Sequence, residues 1–230
     1  MIKDNIITIK ERIVFACNKA GRNPAEVRLV CVCKNRSISE LEQVIEVGIR
    51  DLGENKVQEA IAHYNSLSAK RYPLNAIKWH MIGHLQTNKA REAVKLFDLI
   101  HSVDSLRLAK EIDSQAARIN KIQDILIEVN VSGEESKFGA KPGELGNLEK
   151  AVSELKNVRL LGLMAMAPAV VDPEKARVYF KKSRELLEEL NARSGMQGAL
   201  RELSMGMSND FEAAIAEGAT LVRIGRLVFE

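Results

Sequence analysis

Val27-Arg28-Leu29-Val30-Cys31-Val32-Cys33-Lys34 is a β-branched, apolar run that ends on a lysine. The run reads as a buried strand. Lysine is among the residues least often fully buried, so one that closes such a strand is either an ordinary surface residue just past the sheet or an amine held for chemistry. Val30, Val32 and Lys34 share one face of the strand, and Leu29, Cys31 and Cys33 share the other. An amine in a partly dry pocket loses some of its preference for the charged form. The neutral amine can then attack a carbonyl and form a Schiff base.

Outward from this strand the chain alternates between extended and helical segments. Residues 2–20 read as an opening amphipathic helix, stopped by Gly21 and Asn23-Pro24. Strands are expected near 27–34, 50–54, 77–83, 99–103, 125–131, 158–164, 201–205 and 221–224. Between them the pattern predicts helices over 38–48, 55–67, 86–96, 105–119, 143–155, 174–192 and 209–217. Ser37 and Ser208 are placed to cap two of these, and Pro173 to open a third. Eight strands, each but the last followed by a helix, favour parallel pairing with right-handed crossovers. The expectation is α/β: a single (β/α)8 TIM barrel domain over residues 1–230 with an additional N-terminal helix. The alternative is an open doubly wound sheet. That fold usually has a glycine-rich first turn, whereas the turn here is Asn35-Arg36-Ser37. In the barrel, an inward Lys34 stands at the C-terminal mouth, where such folds carry their active sites.

Composition narrows the function classes. The 230 residues are 46% hydrophobic and 28% charged, with a net charge of +3. Basic and acidic residues are interleaved, without the basic block that tracks a phosphate backbone, so nucleic acid is not an expected partner. Cys17, Cys31 and Cys33 are too few for a disulfide framework and suit buried thiols in a reducing compartment. The N-terminus has no signal-peptide pattern, and no run approaches the ~20 apolar residues of a membrane span. A cytoplasmic protein, not bound to membranes, is expected.

Polar residues gather at the strand ends. Ser204-Met205-Gly206-Met207-Ser208-Asn209-Asp210 follows the seventh strand. Gly206 permits positive φ or a close backbone approach, and free N–H groups at the next helix start would receive an anion. Barrels commonly hold phosphate on the loops after strands seven and eight. The other reading is a plain glycine turn with a serine cap. Arg223, in the last strand, must be paired or hydrogen-bonded if buried. His80 and His84 straddle Gly83, which breaks the geometry a His-x3-His metal pair needs. Residues 133–139 read as a solvated loop or as a lid carrying Lys137. A Schiff-base lysine, a phosphate nest and an arginine able to face a ring nitrogen together suggest pyridoxal phosphate. An arginine there leaves the ring nitrogen unprotonated and the electron sink weaker than an aspartate would.

The same segments carry a family resemblance. The chain resembles the pyridoxal-phosphate homeostasis proteins, the YggS/PROSC family. The matching segments are Leu29 to Lys34, Gly53-Glu54-Asn55, Trp79 to Lys89, Asn130-Val131-Ser132 with Ser136-Lys137, Gly162 to Met166, Leu203 to Ser208 and Val222 to Gly225. The resemblance implies a fold-type III barrel like the N-terminal domain of alanine racemase, with the cofactor on Lys34. It implies phosphate on the turn containing Ser204, Gly206, Met207 and Ser208 and on the backbone of Gly225 and Arg226, with Arg223 toward the pyridine nitrogen. Asn55, His80 and Met166 enter the cofactor-binding set with it. One departure is Arg226, where the family usually has a small hydroxyl residue. The implied function is intracellular pyridoxal phosphate homeostasis without dedicated catalysis. The implied partners are pyridoxal phosphate itself and, as further candidates, pyridoxal phosphate-dependent apoenzymes or amino acids; a monomer is the simpler expectation. The alternative is an amino-acid racemase-like enzyme, which needs acid/base groups on both faces of the substrate Cα. Tyr64, Tyr72 and Tyr179 all fall away from strand ends.

Overall fold

The alternation of strands and helices closes on itself. In the computed structural model, which describes residues 1–70, 72–134, 137–168, 170, 172–193 and 200–230, eight parallel strands form one closed barrel in chain order. They are β1 (Arg28–Val32), β2 (Asp51–Glu54), β3 (Lys78–Met81), β4 (Leu99–Val103), β5 (Gln123–Val129), β6 (Val158–Ala165), β7 (Glu202–Ser204) and β8 (Leu221–Ile224). The ring is completed by β1 against β8, where Val30 stands opposite Arg223. The helices among the described residues are α1 (Ile2–Lys19), α2 (Ile38–Glu46), α3 (Val57–Ala69), α4 (Ala90–Leu96), α5 (Leu106–Ala117), α6 (Leu145–Ser153), α7 (Arg177–Arg193), α8 (Phe211–Ala216) and α9 (Arg226–Phe229).

Several expected boundaries move, each for a local reason. β1 ends at Val32, so Lys34 lies two residues beyond it in a turn. β5 begins two residues earlier than expected, at Gln123, whose side-chain amide donates to the carbonyls of Asp98 and Asp124. Pro173 opens a 3-10 turn over Pro173–Ala176, and α7 begins only at Arg177. α8 begins at Phe211 with Asp210 as its N-cap, so Ser208 sits in the preceding turn and not at the cap. A short helix, α9, follows the last strand, where none was expected. Ser136 lies outside the described residues.

The period-two alternation of the strands separates two apolar layers. Leu29, Cys31 and Cys33 join the large outer layer between sheet and helices, with Leu52, Trp79, Ile125, Leu203 and Val222. α1 adds Ile2, Ile6, Ile9 and Ile13, buried at helical spacing, and packs on α8, α9 and α2. The inner layer is small: Val30, Leu99, Leu126, Met164 and Leu221. Above it the interior is polar, because β3, β4, β5, β7 and β8 send His80, His101, Glu128, Ser204 and Arg223 into burial. Gly162 lets β6 and β7 approach, since a Cβ there would stand 1.9 Å from the Glu202 carbonyl oxygen. Cys17, Cys31 and Cys33 are free thiols, all buried. Among the described residues no helix is long and apolar enough to cross a membrane.

The inner layer has few members, all of them buried, so truncating one is costly. Leu126→Ala, at a fully buried position, is expected to destabilise the fold by about 2–5 kcal/mol. Urea denaturation checks this; a loss below 1 kcal/mol would mean the barrel interior is not packed as described.

Candidate functional site

Lys34 leaves the barrel in a tight turn. Asn35 takes φ +57°, a left-handed conformation that asparagine tolerates better than most residues. α2 then starts from a complete capping box, the Ser37 hydroxyl accepting from the Glu40 amide and the Glu40 carboxylate accepting from the Ser37 amide at 2.7 Å. The turn is also pinned from below. His63 Nε2 lies 3.1 Å from the Arg36 carbonyl oxygen, and His63 Nδ1 lies 2.6 Å from Glu54 Oε1. A carbonyl can only accept, so Nε2 carries a hydrogen, and the short contact to fully buried Glu54 needs a second proton on the ring or the carboxyl. Both groups hold their proton to higher pH than usual, Glu54 because of burial and His63 because of its bond to Glu54.

Above the turn the mouth of the barrel opens into a cavity of about 590 Å³. Lys34 is exposed on its wall and makes no hydrogen bond or ion pair among the described residues. Met166, Met207, Ser208, Arg223, Gly225 and Arg226 line the same cavity. Seven of the residues singled out from sequence therefore come together here. Four do not. Gly206 (φ +88°) serves its turn: a Cβ there would stand 2.5 Å from the Ala214 Cβ and 2.9 Å from the Phe211 Cα, against α8 and not toward the cavity. Ser204 and His80 lie beneath, inside the barrel. Asn55 lines a separate depression with His84.

The β7–α8 turn presents donors. Asp210 Oδ1 accepts from the Met207 amide at 2.6 Å, which closes the turn. Among the described residues the amides of Ser208, Asn209 and Arg226 donate to no protein acceptor. Arg226 sits at the rim and donates to Asn209 Oδ1 at 3.1 Å. Arg223 is buried, donating from Nη1 to Ser204 Oγ at 2.5 Å and from Nη2 to the Ala165 carbonyl at 3.1 Å. Burial pulls its pKa down to about 10, against the opposing charges of Glu128 and Asp210, so it remains a cation at neutral pH.

Lys137, Asn209 and Asp210 also line the cavity. Lys137 pairs with Glu134 at 3.0 Å, and the neighbouring Phe138 ring stacks on His84 at 3.8 Å, which ties the described part of the 133–139 loop to the segment after β3. His80 and His84 are not brought together, and no metal-holding cluster occurs among the described residues. Besides His63, two participants on the inward faces of β4 and β5 were not singled out from sequence: His101 and Glu128. The signal was present, because each is a polar residue on the inward face of an otherwise apolar strand, in register with Leu99 and Leu126.

Comparison with known proteins places the chain in a family. The family model for the alanine racemase N-terminal domain matches residues 7–230. The pyridoxal phosphate homeostasis protein of Aquifex aeolicus is 43% identical over 226 residues, covering 98% of this chain and 96% of that one. The chain belongs to the pyridoxal phosphate homeostasis family. The Escherichia coli member is 38% identical over 232 residues, covering 99% of this chain and 95% of its own length. PipY of Synechococcus elongatus, solved with pyridoxal phosphate bound, superposes with a TM-score of 0.87 at 33% identity, with both chains fully covered.

Glu128 has a measurable consequence. It is 4% exposed, and burial raises its pKa to about 7 in spite of the pull of Arg223. Its folded pKa exceeds the unfolded value of 4.5, so the folded state holds the proton longer and stability falls as pH rises from 4.5 to about 7. Glu128→Gln removes that loss. Its unfolding free energy relative to the native chain is expected to rise by order of 1–3 kcal/mol between pH 5 and pH 8. Denaturant titrations at the two pH values test it, and a flat or falling difference would contradict the buried, unpaired carboxyl.

Proposed function

We propose that the chain binds pyridoxal 5'-phosphate in the mouth cavity and serves its homeostasis without dedicated catalysis. The observation that carries this is the coincidence, around one cavity, of an unpartnered lysine, a buried cation and a set of free amides. These residues fit the cofactor's three polar features. The Lys34 amine would hold the aldehyde carbon as a Schiff base. Ser208 and the amides of Ser208, Asn209 and Arg226 would receive the phosphate. Arg223 would donate to the ring nitrogen. When bound, the cofactor supplies an electron sink, and an arginine partner keeps that sink weak.

The absence of dedicated catalysis is supported by what surrounds the cavity. Tyr64 and Tyr179 sit on α3 and α7, and Tyr72 in the connection after α3. Lys137, on the wall of the same cavity, is tied to Glu134. The Arg226 side chain is drawn to Asn209, which leaves its backbone N–H to do what a hydroxyl residue does elsewhere in the family.

Protein loaded with pyridoxal 5'-phosphate is expected to show a visible-edge absorbance that borohydride bleaches, with the cofactor's mass fixed on the Lys34 peptide. Lys34→Ala should lose the reducible chromophore; a variant that keeps it in full would sink the assignment of Lys34.

A second measurement separates binding from catalysis. Holoprotein incubated with single L-amino acids in deuterium oxide is expected to exchange Cα hydrogen no faster than free cofactor does. Rapid exchange with loss of optical purity would establish the racemase-like alternative instead.

A further inference from the structure

The guanidinium of Arg223 is one end of a line of side chains that crosses the barrel interior. Its Nη1 bonds Ser204 Oγ at 2.5 Å; Ser204 Oγ lies 2.8 Å from His101 Nδ1. His101 Nε2 lies 2.9 Å from His80 Nδ1, and His80 Nε2 lies 2.9 Å from Asp51 Oδ1. Ser204 and His101 are fully buried and His80 is 1% exposed. Asp51 stands at the N-terminal end of β2, on the face opposite the cavity, where Arg28 approaches it at 3.7 Å and also pairs with Glu202.

Donor and acceptor counting gives this line a direction. A guanidinium only donates, so Ser204 Oγ accepts from Arg223. The hydroxyl hydrogen of Ser204 then has one acceptor within reach, His101 Nδ1. That leaves the His101 hydrogen on Nε2, where it donates to His80 Nδ1, and the His80 hydrogen on Nε2, where it donates to the carboxylate. In the reverse direction His101 and Arg223 would both donate to Ser204 and leave its buried hydroxyl hydrogen without an acceptor among the described residues, which gives a preference of about tenfold to hundredfold for the forward direction. Only the forward direction satisfies every buried group. The charges around His101 agree, because burial, then the neighbouring His80, Arg223 and Arg28, hold its pKa well below the usual value and keep the ring neutral. Glu128 and Asp210 face Arg223 itself. The line does not shuttle protons, since the guanidinium at its head keeps its own.

We propose that Ser204, His101, His80 and Asp51 are positioning residues for Arg223. They form a one-way hydrogen-bond chain that fixes which guanidinium N–H groups face the cavity and transmits a change there to the far face of the barrel. The direction of the chain is a property of the protein alone. Its coupling to the cavity rests on the pyridoxal phosphate reading above.

Side-chain 15N–1H correlation spectra of the protein without added cofactor, at pH 7.5, test the direction. Both rings are expected in the Nε2–H neutral form, assigned with His80→Gln and His101→Gln. A hydrogen on Nδ1 of either ring, alone or with Nε2, would overturn the chain. Titration of the native protein with pyridoxal 5'-phosphate tests the coupling, and the His101 and His80 nitrogen resonances are expected to move. In Ser204→Ala the His80 shift should vanish and affinity fall roughly tenfold, and Ser204→Thr, which keeps the hydroxyl, should restore both. Resonances unmoved at saturating cofactor in the native protein, or moved equally in Ser204→Ala, would refute the coupling. A native protein that binds no cofactor would sink the functional reading and the coupling with it, while the tautomers still decide the chain.

Discussion

A guanidinium buried inside a closed barrel is the constraint from which most of the interior follows. Removing a full charge from water is costly unless hydrogen bonds and opposite charges replace the lost solvent. Arg223 receives both: the Ser204 hydroxyl and the Ala165 carbonyl as acceptors, and the nearby carboxyl groups of Glu128 and Asp210. Each compensation creates a further buried polar group that needs a partner. Ser204 requires His101, His101 requires His80, and His80 is satisfied only when the line reaches Asp51 near solvent. The polar chain is thus the consequence of placing one cation at the cavity floor.

That demand explains why the inner apolar layer is so small and the outer one so large. A (β/α)8 barrel ordinarily fills its interior with branched side chains. Here Val30, Leu99, Leu126, Met164 and Leu221 are the described inner cluster, and buried His80, His101, Glu128, Ser204 and Arg223 share the interior with it. Hydrophobic stabilisation rests instead on the sheet–helix interface, where α1 contributes a full apolar stripe. Stability is carried on the outside of the sheet and chemistry on the inside, and the alternation of side chains along each strand keeps the two apart.

The alternation of elements and the facing of β1 were legible in the chain because both depend on period and composition, which are local. β4 and β8 fall on the expected residues 99–103 and 221–224. Boundaries moved where a single side chain decides them, as at Asp210, whose carboxylate closes the β7–α8 turn and takes the cap position from Ser208. The cavity wall was legible where residues sit at strand ends, from Lys34 and Met166 to Arg223. Ser204 and His80 lie beneath the cavity, a depth that position along a strand does not reveal. Both point inward, and neither lines the mouth cavity. His101 passed unremarked for the converse reason, since its part depends on three other strands being beside it.

Lys34 and Arg223 are held by opposite means, and the contrast bears on what the cavity can do. Arg223 is buried and held by two hydrogen bonds, from Nη1 to Ser204 and from Nη2 to the Ala165 carbonyl. Lys34 is exposed and unpartnered, and what is fixed is the backbone beneath it, through the His63–Glu54 pair on the Arg36 carbonyl and the capping box of α2. On the proposed reading, a held donor on one wall would orient a ring, while a long, free amine on a pinned turn would reach and release an aldehyde. A catalyst would need a second such group aimed at the substrate carbon. The other lysine on the wall, Lys137, is turned instead toward Glu134. That contrast is the physical reason for proposing reversible holding of a cofactor over repeated proton transfer on it.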